Sequence, residues 1–308
     1  MPLHRLLGID LGVPRPQTLH DFYAQIGFVD TGDGWGQKDA ADQIRIAEAP
    51  YRQLTNVRLA CHDEADLAAI GGRLDGLGIA HETRDGTLHL VDPINKWRVE
   101  VTPSPVEDVR ANEERIVNRP GARARRQARP LIMTEEAQRP PRRLGHYVIG
   151  TTDVPATYKL YVEALGFRVS DKVLGGLGWF LRCSPDHHNM LITPGPVPYL
   201  NHYAIERDDI DAVMKAAGGY LAANPGTQIS GPGRHQLGGN VFWYLQDPAG
   251  NFFEQFADMD YIEDDDAWEP GDWDQPGWSL WGNDQQPEVF FKPRDMTEII
   301  HGFHQQHG

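Results

Sequence analysis

Two cysteines in 308 residues, Cys61 and Cys183, lie far apart and outside any CxxC spacing. The chain therefore lacks the makings of a disulfide framework or a cysteine zinc site. Positive charge is also scarce: 29 Lys and Arg face 44 Asp and Glu, for a formal net charge of −15. That balance argues against a nucleic-acid partner, because phosphate binding needs a basic footprint. Ten arginines do gather in residues 110–143, but they are mixed with Glu and Pro and read as a solvated linker. No apolar run approaches the length of a membrane span, and the opening MPLHRLLGID lacks the apolar centre of a signal peptide. No membrane association is expected, and the expected compartment is the cytoplasm.

What is present is ordinary for a soluble globular protein: 40% hydrophobic and 24% charged residues. The length leaves room for two domains. The first half reads in order as a strand at 4–13 and a helix closing at Gly27. Strands follow near 28–37, 43–48 and 56–61, then a helix over 62–77 and strands at 87–91 and 96–102.

The second half repeats that order. RRLGHYVIG answers HRLLGIDLG, VPATYKLYVEALGF answers PQTLHDFYAQIGF, and LQDPAGNFFEQF answers LVDPINKWRVEV. The period is about 140–150 residues. Each half reads as two βαβββ units, so the expected class is α+β with strand-rich, half-barrel modules. The expected division is 1–118 as a non-catalytic domain, 119–141 as an Arg/Pro-rich linker and 142–262 as the catalytic domain. Residues 263–308 form an acidic, Trp-rich tail that could cover an active-site mouth. EVFFKPRDMTEIIHGF within it reads as a short terminal helix.

Chemistry concentrates in residues 231–256, GPGRHQLGGNVFWYLQDPAGNFFEQF. The DPAG sequence reverses the chain, so Tyr244 and Glu254 are expected side by side on paired strands, with Asp247 as a turn residue. A carboxylate in so aromatic a strand needs a positive partner. His146 and His202 each open a strand-like run. Two imidazoles and one carboxylate from separate strands could form a facial triad for ferrous iron, with manganese fitting the same donors. Three coordination positions would stay open for substrate and dioxygen. The repeat sets Ile9 opposite His146 and Val57 opposite His202. Val99 falls opposite Glu254, or Glu100 does if the turn holds one extra residue. On that alignment only the second half can hold the metal.

His146, His202, Glu254, the pair His187-His188 in SPDHHNM, and GPGRH with a tyrosine ten residues before the glutamate together resemble the type I extradiol ring-cleavage dioxygenases of the vicinal oxygen chelate superfamily. The likeness is close over 142–262 and looser before it. It implies that His188 is the acid–base catalyst, a role that suits an imidazole. It implies that His235 hydrogen-bonds the substrate oxygen and that Tyr244 stabilises the catecholate; His187 is expected to be structural. Strand periodicity puts Val148, Ala204, Phe252 and Phe256 on the faces of the ligands, and the resemblance adds Phe180 to the pocket wall. That lining points to an alkyl- or aryl-substituted catechol, with Arg182 and Arg234 near enough to matter. The expected partners are a catechol and O2, and relatives of this kind are expected to be homo-oligomers. Other enzymes of the superfamily (hydroxyphenylpyruvate dioxygenase-like or glyoxalase-like) and a metal-free aromatic-binding protein are the alternatives.

Overall fold

The computed structural model describes residues 1–37, 40–106, 109–134, 139–274, 277–282 and 287–308. Four βαβββ modules follow one another. The first is β1 (Leu3–Val13), α1 (Pro16–Ile26), β2 (Val29–Asp30), β3 (Trp35–Gln37) and β4 (Ala40–Glu48). The second is β5 (Gln53–Cys61), α2 (Glu64–Gly76), β6 (His81–Arg84), β7 (Thr87–Val91) and β8 (Arg98–Pro103). A short helix, α3 (Leu131–Thr134), lies in the connection. The third module is β9 (Arg143–Thr151), α4 (Val154–Tyr158, continued by a π-helical stretch to Leu165), β10 (Arg168–Val173), β11 (Gly178–Arg182) and β12 (Met190–Pro194). The fourth is β13 (Tyr199–Glu206), α5 (Ile210–Ala223), β14 (Gln228–His235), β15 (Val241–Gln246) and β16 (Phe252–Ala257). The tail adds β17 (Gly271–Trp273), β18 (Ser279–Trp281), α6 (Glu288–Phe291) and α7 (Met296–His307).

Each half builds one mixed sheet, and the strand order is the same in both. It is β2-β3-β4-β1-β5-β8-β7-β6 in the first, and β10-β11-β12-β9-β13-β16-β15-β14 in the second, where β17 and β18 extend the edges. This is the α+β, strand-rich arrangement expected from the repeat, and the fold implied by the resemblance to the vicinal oxygen chelate superfamily. Helix ends follow their local chemistry. Asp63 caps α2 by accepting from the Asp66 N–H at 2.9 Å, and Gly27 closes α1 at φ 92°. Three strands lie outside the expectation: β17 and β18 in the tail, and β6, HETR, whose polar, largely exposed residues carry no apolar alternation.

Alternation divides the second sheet into two faces. Tyr147, Ile149, Tyr203, Leu245 and Phe253 join a hydrophobic core that also contains Leu3, Ile9, Phe22 and Tyr23. Across it Phe22 meets Phe253 edge-on at 5.2 Å, and the Tyr23 hydroxyl donates to that of Tyr203 at 2.9 Å. Each of these aromatic side chains contributes about 1.5–3 kcal/mol by its burial. The other face carries His146, Val148, His202 and Glu254, and Trp278 and Phe290 from the tail lie against it.

The ladders correct the repeat alignment. In the second half, Ala204 pairs with both His146 and Glu254, and His202 with Val148. In the first half the matching pairs are Arg58 with Gly8 and Glu100, and Asn56 with Asp10. The equivalents of two candidate ligands are therefore Gly8 and Asn56, not Ile9 and Val57, and the third is Glu100, as expected if the turn holds one extra residue. For Glu100 the cause is loop length. Leu90 pairs with Val99, nine residues on, whereas Leu245 pairs with Phe253, eight on. Lys96, at φ 72°, takes up the additional residue. The first half is thus not apolar at these positions. Arg58, the counterpart of Ala204, places its guanidinium against Gly8, Asp10 Oδ1 (3.0 Å) and the Asp42 carbonyl.

Gly145, just before His146, has no room for a side chain: a Cβ there would lie 2.3 Å from Phe256 Cζ. Phe256 is buried and sits 5.0 Å from the His146 ring. Gly145→Ala should therefore lower stability by about 1–3 kcal/mol through overpacking. Urea unfolding checks this; a wild-type midpoint would show that Phe256 has space to move.

Candidate metal centre

One row of the second sheet runs His146–Ala204–Glu254–Tyr244 across β9, β13, β16 and β15; the next runs Phe180–Leu191–Val148–His202–Phe252. These registers set three separate strands side by side with their polar residues on one face. Ala204 lies between His146 and Glu254, and a larger residue there would occupy the space that the ligands share. The DPAG turn forms as expected. Asp247 accepts from the N–H groups of Ala249 and Asn251, both at 2.9 Å, and locks Tyr244 opposite Glu254.

Ligand atoms of His146, His202 and Glu254 all lie within 4.8 Å of one another, and it is the one such cluster among the described residues. His146 Nε2 is 2.9 Å from Glu254 Oε2, and His202 Nε2 is 3.4 Å from the same oxygen. All three side chains are buried. Burial opposes ionisation of Glu254, but the facing His146 ring, first among its neighbours and within hydrogen-bond distance, holds its carboxyl well below the usual range. Burial also lowers His202 to about 4, only partly offset by Glu254. Near pH 7 His202 therefore offers a lone pair and no charge. A buried carboxylate facing a neutral imidazole calls for a cation from elsewhere.

The donor chemistry fits a divalent transition metal. His202 Nε2 is buried without a hydrogen-bond partner, while its Nδ1 lies 2.9 Å from Asn201 Oδ1. The Asn201 amide in turn donates to the Phe290 carbonyl at 2.7 Å, so its oxygen is the atom facing the ring. Nδ1 must then carry the proton, which leaves Nε2 bare toward the cluster, as a metal ligand requires. Asn240 Nδ2 donates to Glu254 Oε1 at 3.1 Å and holds the carboxylate in place. His146, His202 and Glu254 are thus suited to bind iron(II) or manganese(II) with open positions left over.

The other expected residues gather around this cluster. The His188 ring is 4.3 Å from that of His146 and 5.1 Å from Phe180. Burial, followed by the neighbouring histidines, pushes His188 well below the ordinary imidazole range. His235 Nε2 accepts from the Tyr244 hydroxyl at 3.0 Å. Burial and the facing Glu254 raise the Tyr244 phenol well above its usual value, so it keeps its proton. Val148, Ala204 and Phe252 are buried on the ligand-bearing face.

Several neighbours escape a sequence reading. His187, expected to be structural, hydrogen-bonds His188 Nδ1 to Nδ1 at 3.1 Å and Asp171 through Nε2 at 2.9 Å. Trp278 and Phe290 come from the tail. The Phe290 ring is 5.3 Å from His202 and 5.0 Å from Tyr244, and the Trp278 ring is 4.7 Å from His235. The tail has no periodicity that could place them. Asn201 and Asn240 had weak signals, one adjacent to His202 and one closing LGGN.

Four βαβββ modules with a single buried His/His/Glu cluster on the second sheet define the class as a vicinal oxygen chelate protein with a mononuclear metal site. Residues 143–255 match the family model described as Glyoxalase/Bleomycin resistance protein/Dioxygenase superfamily. Metapyrocatechase 2 of Cupriavidus necator is 31% identical over 265 residues, covering 82% of this chain and 80% of its own. The iron-dependent extradiol dioxygenase of Rhodococcus jostii (strain RHA1) is 30% identical over 156 residues, 46% of this chain and 50% of its own. The crystal structure of BphC, a halotolerant catechol dioxygenase, superposes with a TM-score of 0.71 at 21% identity, covering 94% of this chain and 97% of that one. The chain belongs to the extradiol dioxygenases of the vicinal oxygen chelate superfamily, and it is an enzyme of that family.

Neutral burial of His202 has a consequence for pH. Its folded pKa of about 4 lies below the unfolded value of about 6.5. Between these values the unfolded chain binds more protons, so stability falls as pH drops. Metal-free protein should lose about 2–3 kcal/mol between pH 7 and pH 4.5 from this residue. Urea unfolding of chelator-treated protein at the two pH values measures it, and Asn201 and Glu254 must be intact. A flat profile would contradict the neutral, buried His202.

Proposed function

We propose that this enzyme opens the ring of an alkyl- or aryl-substituted catechol with O2 at an iron(II) centre held by His146, His202 and Glu254, manganese(II) being the alternative metal. Both oxygen atoms enter the product, a ring-opened dienoic acid or semialdehyde. The observation that carries the substrate class is the row Phe180–Leu191–Val148–His202–Phe252, an apolar wall continuous with a ligand. The two arginines that could have received a substrate carboxylate are engaged elsewhere. Arg182 binds Asp265, Ser170 and the Val169 carbonyl; Arg234 binds Asp258 and the Gly239 carbonyl. A charged side chain on the ring would meet hydrocarbon and lose its hydration.

When bound, the metal supplies Lewis acidity toward both catechol oxygens and a path for electrons to dioxygen. The protein's own residues supply position and protons. His188, held neutral by burial, takes a proton and returns it at Nε2, the nitrogen not engaged by His187. Tyr244 and His235 form a hydrogen-bonded pair in the resting site, and the one phenol proton turns from His235 Nε2 toward oxyanion charge as it develops. The tail aromatics Trp278 and Phe290 exclude water from this face.

The test is anaerobic loading with Fe(II) or Mn(II), then admission of oxygen over a catechol panel, followed by the yellow colour of ring-opened product. Preference for 2,3-dihydroxybiphenyl or a 3-alkylcatechol over homoprotocatechuate by about tenfold or more in kcat/KM supports the apolar wall. The reverse order would overturn the substrate class. Metal bound without turnover of any catechol would favour a glyoxalase-like or hydroxyphenylpyruvate dioxygenase-like activity, and absence of metal binding would favour an aromatic-binding protein. His188→Ala should cost roughly 10²–10⁴-fold in turnover while leaving metal affinity within a few-fold.

A further inference from the structure

Three histidines around the metal site have their outward nitrogens tied, directly or through one or two residues, to the C-terminal tail. His235 is the simplest case: its Nδ1 lies 3.1 Å from the Trp278 carbonyl. A carbonyl only accepts, so Nδ1 carries the proton. His202 reaches the tail through Asn201, whose amide is oriented by the Phe290 carbonyl. His188 reaches it through two residues. Asp171 Oδ1 accepts from the Gly271 N–H at 2.7 Å and Trp273 Nε1–H at 3.0 Å, both in β17. Its Oδ2 accepts from His187 Nε2–H. His187 Nδ1 is then a lone pair, and it accepts from His188 Nδ1–H.

The three chains of hydrogen bonds have the same sense. Each outward Nδ1 is a donor, so each Nε2 presents a lone pair inward. His146 is the contrast. Its Nδ1 is buried without a partner, and its Nε2 lies 2.9 Å from Glu254 Oε2, where it serves as donor. We propose that the tail is a positioning element that sets the tautomers of His188, His202 and His235 from behind through Asp171–His187, Asn201 and the Trp278 carbonyl, and that it leaves His146 unset. Asp171, His187 and Asn201 are the positioning residues. A tail that only covered the site would contribute apolar contact; here its backbone carbonyls, one N–H and one indole decide which nitrogen of each ring is available.

The experiment uses the full-length chain labelled with 15N-histidine and free of metal, so the tautomers are read independently of the dioxygenase reading. Long-range 1H–15N spectra should show Nδ1–H with bare Nε2 for His188, His202 and His235, and Nε2–H for His146. Asp171→Asn keeps the shape but supplies an amide donor to His187 Nε2. The relay should invert, giving His187 Nδ1–H and His188 Nε2–H, with Mn(II) affinity unchanged and turnover lost. Asn201→Leu should turn His202 to the Nε2–H form and weaken Mn(II) binding roughly 10- to 100-fold. The affinity arms rest on the metal-site reading and the turnover arm on the proposed function, while the tautomer arms rest on neither. Wild-type Nε2–H at His188 or His202, or unchanged tautomers in both variants, would overturn the proposal. Folding of each variant is checked by its unfolding midpoint and by the unperturbed His235 signals.

Discussion

Glu254 has no solvent exposure, and a fully buried carboxylate that keeps its charge is the constraint around which the second half is arranged. Isolated burial of such a group costs several kcal/mol. The arrangement answers that cost in parts: Asn240 donates to one oxygen, His146 meets the other, and His202 stands by with a bare nitrogen. His202 brings no positive charge at pH 7, because burial opposes its protonation. A divalent ion held by the three residues would complete the balance. The strand registers, the small Ala204 between the ligands and the aromatic rings from the tail all follow from keeping that oxygen pair dry and accurately placed.

The first half shows the same geometry resolved differently. At the register position of Ala204 stands Arg58, with Asp10 beside it where the second half has Val148. The guanidinium fills the space over Gly8 and pairs with Asp10, so the charge there is balanced within the protein. Gly8 offers no ligand in place of His146, and Asn56 stands in place of His202. One scaffold thus carries an internal ion pair in one copy and a metal site in the other. The difference rests on a few side chains, while the strand order is shared.

Much of this was legible in the chain. The four module order, the DP turn opposing Tyr244 to Glu254, the cap at Gly27 and the three ligand candidates all rest on local turn chemistry, alternation and repetition. Sequence likeness alone does not fix the register of the halves: paired strands set Gly8 and Asn56 opposite His146 and His202, and the longer first DP connection selects Glu100 over Val99. β6 went unseen because an exposed edge strand needs no apolar pattern. The hydrogen bond of His187 to Asp171, sixteen residues away in sequence, is made only through folding, so no local pattern announces it.

The sequence by itself determined the inventory: which residues have lone pairs and charge to offer, where the chain turns, and that two similar halves carry different chemistry. These follow from residue type and near neighbours. The tertiary structure decided which nitrogen of each imidazole faces inward, since that depends on a partner behind the ring. For His202 the partner is Asn201 held by Phe290, and for His235 it is the Trp278 carbonyl. A tautomer is a property of a pair of atoms brought together across the fold, so no reading of one strand could have supplied it.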